Sequence, residues 1–274
     1  MKQWNRRKTM VLITAISLVF LVTVAIAGSM CTDAARATDF SRKNLMPCLQ
    51  YPFGTDWMGR DMFARTLKGL SLSVLIGTLA AAISAVIALV LGICAATLGR
   101  RTDSAITWVI DLIMGIPHML LLILISVAAG RGLKGVIIGV AFTHWTSLAR
   151  LIRAEVMQIK ESPYVKISQK LGKSRWYVAC RHMIPHLVPQ FAVGLVLLFP
   201  HAILHEASIT FLGFGLTSEQ PAIGIILSES MKYLVLGKWW LALFPGLALV
   251  VTVVMFYLLG ENLRKLIDPG SVHE

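Results

Sequence analysis

Charge is what this chain has least of: only 15% of its 274 residues are Asp, Glu, Lys or Arg, and just 14 are acidic. With 56% apolar residues and a positive mean hydropathy, that scarcity excludes an ordinary water-soluble core and points to a membrane-embedded class. Also lacking is a G-x-x-x-x-G-K-[ST] phosphate loop, so by this sign the chain does not itself bind and hydrolyse ATP. No repeat of fixed period and no Ser- or Pro-rich linker divides it, which leaves one membrane domain as the simplest organisation. Cysteine is sparse. Of the four, Cys31 and Cys48 share one loop and can pair only in an oxidising compartment, two unpaired small side chains being the alternative. The H-E-x-x-H zinc motif fails in "HAILHEASI", because the position four after His205 is Ile209, and with it fails an intramembrane metalloprotease.

What the chain does have is apolar length. A bilayer needs about 20 consecutive apolar residues per helix, and six windows qualify: Thr9–Gly28, Ser71–Leu98, Ser104–Ala128, Val136–Leu151, Val188–Leu216 and Trp239–Gly260. The fourth is the weakest, because it is short and must borrow from Leu133 or from a snorkelling Arg150. The first is longer than a signal-peptide apolar region of about 7 to 15 residues, which favours a retained helix over a cleaved leader at Ala25 and Ala27. An even number of spans puts both termini on one side.

Lys and Arg collect between these windows rather than in a patch with interleaved aromatics, so topology explains the net charge of +12 and nucleic acid does not. With the N-terminus inside, sixteen of the 26 basic residues fall on inner segments, eight of them from Arg150 to Arg181. Residues 152–187 are therefore expected in the cytosol.

That segment has a pattern of its own. Ser162 before Pro163 reads as a helix start, with Tyr164, Ile167 and Leu171 on one face. Gly172 can supply a left-handed stop, and Ser174 can cap a second short helix carrying Trp176, Ala179 or Cys180, and Met183, ended by Pro185. Two basic amphipathic helices joined at a glycine suit either a protein groove or anionic lipid headgroups, and amphipathicity alone does not separate these. Within the spans, Ser84, Ala88, Gly92 and Ala96 form a small-residue stripe fit for close helix packing. Gly115 with Pro117, Pro200, and Pro245 with Gly246 are expected helix breaks, tolerated only in protein or beside a cavity.

The segment resembles the cytoplasmic coupling motif of permease subunits in binding-protein-dependent ABC importers. Tyr164-Val165, Leu171-Gly172 and His182-Met183-Ile184-Pro185 stand where that family keeps its pattern, while Ile167-Ser168 replaces its alanine pair and His186 its asparagine. "FGTDWMGRDMFARTLKG", "EASITFLGFGL", "PAIGIILSESMKYL" and "WWLALFPGLAL" are similar to blocks of the dipeptide, oligopeptide and nickel branch, over about residues 50 to 269. The resemblance implies an all-α, six-span permease of the type I importer architecture, with an N-terminal helix and outer loop over 1–69 and the importer domain over 70–270. It implies no covalent chemistry and no cofactor, and hydrolysis in two separate cytosolic ATP-binding subunits that engage Tyr164, Ile167, Leu171, Gly172 and Trp176. A second permease and an extracytoplasmic solute-binding protein complete the implied assembly, in a bacterial or archaeal cell membrane with both termini cytoplasmic.

Asp56, Arg60 and Asp61 lie between glycines and are expected to form an exposed ion-paired turn in the outer loop, either beneath the binding protein or as plain loop structure. Pro117, His118, His201, His205 and Glu206 are the candidate pathway residues. His201 and His205, one turn apart, form a candidate transient metal pair, with Glu206 pointing off their face. Hydrogen bonding between helices is the competing role for these histidines, as for His118 and His144-Trp145. A histidine at 201 and His-Trp at 144–145 look like nickel-type members, so nickel or a metal chelate is the expected cargo and peptides the alternative. A reading from another class is a proton-coupled secondary transporter using Asp111 and Glu206, opposed by the want of an inverted repeat.

Overall fold

A computed structural model describes residues 6–267. In order, the chain forms α1 (Arg6–Met30), α2 (Thr32–Arg36), a 3-10 turn at Phe40–Arg42, α3 (Met62–Thr97), α4 (Arg100–Gly115) and α5 (His118–Ala128). It continues through α6 (Gly132–Glu161), α7 (Pro163–Lys170), α8 (Arg175–Val178), a π-helical turn (Ala179–Met183), α9 (Ile184–Phe211), α10 (Ile223–Leu234) and α11 (Trp240–Ile267). Five helices are individually long and apolar enough to cross a membrane, and the bent pair α4–α5 makes a sixth crossing if counted as one span.

The centre is built by α3, α6 and α9, with α1 and α11 flanking. The small-residue stripe explains the closeness of α3 to α6. Ser84, Ala88, Gly92 and Ala96 are all buried, and a Cβ on Gly92 would strike the Ala149 carbonyl and the Ile152 side chain of α6. At the C-terminal end of α3, Lys160 of α6 donates to the Ala96 carbonyl at 2.6 Å, a cation at the negative end of that helix. Arg153 holds Asp103 of α4 through two bonds of 2.5 and 2.7 Å.

Several sequence expectations change here. The fourth window, weakest by hydropathy, is the most buried of the long helices and runs for 30 residues. Its hydropathy is low because Thr143, His144 and Thr146 face protein instead of lipid. The break expected at Gly115 and Pro117 in the third window is there: α4 and α5 meet at 100°. Ile116 there is extended, as the residue before a proline prefers, and Pro117 occupies the N-cap of α5. Pro200 and Pro245 do not break α9 or α11; both are buried inside continuous helices, where neighbouring elements support the weakened ladder.

The two-helix segment is shorter than 152–187, because α6 continues to Glu161. Ser162 does not cap α7; its hydroxyl donates back to the Ile159 carbonyl at 2.5 Å, while Pro163 opens the helix. Gly172 does take a left-handed turn, at φ +74°, and Ser174 Oγ accepts from the Tyr177 amide at 3.2 Å. Pro185 does not end the second helix. The chain winds wide through the π-turn, with the Ile184 amide bonding to the Ala179 carbonyl, and enters α9 without a gap. Val165, Val178 and Met183 root the segment in the central core. Trp176 and Met183, expected on one face, therefore point opposite ways: Trp176 is 76% exposed and Met183 buried.

Candidate functional site

Three places carry the chemistry-bearing residues. At one end, the loop before α3 encloses an ionic network. Asp56 is fully buried, and its Oδ2 accepts from Arg60 Nε and from Arg65 Nη1, both at 2.6 Å. Its Oδ1 accepts the Met58 and Arg60 amides at 2.8 and 2.9 Å. Arg65 also reaches Glu229 of α10 at 3.0 Å, and both guanidiniums lie over the Trp57 ring, which stacks on Tyr233. The expectation of an exposed ion pair is therefore corrected: Asp56 and Arg65 are sealed, and the network ties the loop, α3 and α10 together. Asp61 takes no part in it. Its carboxylate caps α3 by accepting the Phe63 amide at 2.9 Å, and burial pushes its pKa up against the opposing pull of the Phe63 and Ala64 amides. Arg65 and Glu229 escaped sequence reasoning, although the repeated basic positions of "GRDMFAR" carried half of the signal.

At the other end, Tyr164, Ile167, Leu171 and Trp176 are all exposed around the Gly172 turn, Leu171 at 73%. They form a largely open apolar face, with the Tyr164 ring flanked by His182 and His186 at 5.7 and 5.9 Å. A Cβ on Gly172 would meet open space, so only its backbone conformation demands glycine.

Between these ends, the α4–α5 break opens a cavity of about 510 Å³ against α6 and α9. Pro117, His118, His201 and His205 line it, together with Met114, Thr143, His144 and Ser147. Glu206 does not. It is fully buried elsewhere on α9, its Oε1 accepting from Thr210 Oγ1 at 3.0 Å. The histidines that converge are also not the expected pair. Ligand atoms of His118, His144 and His205 lie within 4.8 Å of one another, and their ring centroids are 4.5 to 4.9 Å apart. His201 stands exposed on the cavity wall, outside that trio. Turn spacing on α9 could pair 201 with 205; only the fold brings in a first residue of α5 and a middle residue of α6. Asp111 pairs with Arg150 and is largely exposed, so neither acid of the proton-coupled reading faces the cavity. All four cysteines are free.

Residues 88–272 match the model of the family described as binding-protein-dependent transport system inner membrane component. The dipeptide transport system permease protein DppC of Bacillus subtilis is 31% identical over 269 residues, covering 97% of this chain and 84% of the relative. The glutathione transport system permease protein GsiD of Escherichia coli is 33% identical over 266 residues, covering 96% and 88%. Among solved structures, an inward-facing MetNI methionine ABC transporter superposes with a TM-score of 0.63 over 76% of this chain and 98% of the other, at 14% identity, a likeness of fold. A broken span, a surface-borne helix pair and these matches agree, and the chain belongs to the family of multi-pass inner-membrane permeases of binding-protein-dependent ABC importers.

Proposed function

We propose that this chain is one of two permease subunits of an importer that carries short peptides. A homologous permease pairs with it, two cytosolic ATP-binding subunits power it, and an extracytoplasmic solute-binding protein delivers cargo to its outer face. Both termini lie in the cytoplasm. Nickel, expected from His144, Trp145 and His201, gives way to peptides because relatives at 30 to 34% identity are named as dipeptide, oligopeptide or peptide permeases along most of their length.

The observation that carries the coupling role is the bare apolar face of Tyr164, Ile167, Leu171 and Trp176 around Gly172, rooted in the core by Val165 and Val178. An exposed face on a rooted base can transmit a push; a helix pair lying on lipid would not need to be fixed to α6 and α9. Closing and opening of the ATP-binding subunits over their nucleotide cycle then moves α6 and α9, which wall the cavity, and alternates its access.

Uptake of a labelled dipeptide by cells expressing the complete importer tests this. Gly172→Asp should leave the chain inserted and the complex assembled while uptake falls at least tenfold and ATP hydrolysis no longer responds to the loaded binding protein. Unchanged uptake would overturn the coupling assignment.

A further inference from the structure

The cavity's histidines are arranged as ligands, not as packing, and the geometry points to a site for a late first-row divalent transition ion (Co²⁺ to Zn²⁺) formed by His118, His144 and His205. Three helices supply one imidazole each: the first residue of α5 after the break, the middle of α6, and α9. His144 is the most telling. It is buried, its Nδ1 lies 3.0 Å from the Val140 carbonyl, and its Nε2 has no hydrogen-bond partner. The Thr143 hydroxyl, also 3.0 Å from Nδ1, donates to the Gly139 carbonyl at 2.9 Å, and a carbonyl only accepts, so the tautomer with the proton on Nδ1 and a lone pair on Nε2 satisfies every partner. That is how a metal-ligating histidine is normally oriented, with its second nitrogen donating to a backbone carbonyl. Nε2 of His118 is likewise buried without a partner.

A histidine that merely joined helices would engage a neighbour through these nitrogens, since an unpaired buried polar atom costs about 1–3 kcal/mol. Two such atoms facing one cavity are accounted for by a shared occupant. The occupant is a Lewis acid of borderline softness, because the donors are three imidazoles, a set that disfavours Mg²⁺ and Ca²⁺; the Met119 thioether, 3.1 Å from His205 Nδ1, accepts from that nitrogen and leaves Nε2 for the ion. No carboxylate joins them, since Glu206 is elsewhere and Asp111 is paired with Arg150. With ligand atoms no more than 4.8 Å apart, an ion bound at ~2.1 Å needs each ring to move inward by well under ~1 Å. Three neutral ligands on a wall that opens and closes make a holding site, not a permanent cage. His201, one turn along α9 and exposed, lines the same cavity outside the trio. An ion carried on a peptide-like chelator satisfies both this site and the peptide reading, on which only the description of the cavity as pathway rests.

The full chain, purified on a tag free of histidine and reconstituted in nanodiscs, is titrated with NiCl₂ by calorimetry and with CoCl₂ by visible absorption. One ion per chain is expected, with cobalt bands of nitrogen ligation and no displacement by excess Mg²⁺. His144→Ala and His205→Ala should each weaken binding at least tenfold, and the double variant should abolish it while its thermal unfolding stays cooperative. If the double variant does not fold, His118→Gln with His144→Gln serves in its place. Stoichiometric binding that survives these substitutions, or none by a well-folded wild-type chain, would overturn the site. Dipeptide uptake without ion binding retires the site and leaves the importer standing; ion binding without dipeptide uptake does the reverse.

Discussion

Asp56 is the residue on which the loop before α3 turns. Its carboxylate receives two guanidinium and two amide donors in a buried setting, and removing one partner of such a pair leaves the other charge unmatched at a cost of about 3–5 kcal/mol. Asp56→Ala is therefore expected to lower the unfolding midpoint sharply in detergent, and Glu229→Gln much less, since that side chain is 23% exposed. A melt of the Asp56 variant matching wild type would contradict the network's weight. Asp61 behaves differently. Its folded pKa is raised by burial, so its contribution to stability is full below the unfolded pKa and shrinks as pH rises through the folded one. Asp61→Asn keeps the capping oxygen without the charge and should be at least as stable as wild type at pH 7, with a flatter stability profile across the acid range. Asp61→Ala should lose ~1 kcal/mol; equal melts for Asn and Ala would remove the capping role. These carboxylates lie five residues apart in one motif, and the sequence cannot say which is sealed. Burial of Asp56 depends on Arg65 arriving from the first turn of α3 and Glu229 from α10, far along the chain.

Elements were legible where periodicity and small residues spoke, and illegible where tertiary partners replaced lipid. The stripe on α3 was plain because four-residue spacing of Ser84, Ala88, Gly92 and Ala96 has little other use in a membrane helix. Gly92→Leu should force α3 from α6, since the Ala149 backbone cannot yield, and reduce folded protein recovered from membranes severalfold. Gly246→Leu, against whose Cβ only Leu227 stands, should be recovered almost normally. Equal recovery of both variants would argue against the stripe. By contrast, α6 looks feeble because its polar residues face the cavity, and Pro185 and Pro200 point to ends that the π-turn and neighbouring helices absorb. The histidine trio could not be read at all from spacing. Its members stand on three helices, and only the 100° break between α4 and α5 sets the first of them against the other two.

For the whole molecule, the two ends make a sidedness that can be measured. Cys48 is exposed in the loop before α3 and Cys180 in the π-turn beside the apolar face, so the proposed orientation puts them on opposite sides of the membrane. In single-cysteine variants, a membrane-impermeant maleimide added to spheroplasts should modify Cys48 and spare Cys180, with the order reversed in inside-out vesicles. Labelling of Cys180 in intact spheroplasts would invert the topology drawn from the basic residues. The division at residues 69 and 70 cuts through the first turns of α3, while the ion pair from Arg65 to Glu229 of α10 bridges it, so the loop is expected to unfold together with the spans rather than before them.

The burial of α6 bears on how the chain is made. Its best window has a hydropathy of 1.4, half that of α3 at 2.7, and carries the polar side chains that the finished molecule hides against α3, α5 and α9. Alone in hydrocarbon it would be a poor client of the insertion machinery, which sorts segments by apolarity as they emerge from the ribosome. α3 emerges first and offers the stripe, so α6 has a berth before it leaves the translocon, and the order of synthesis is part of what makes so polar a crossing possible.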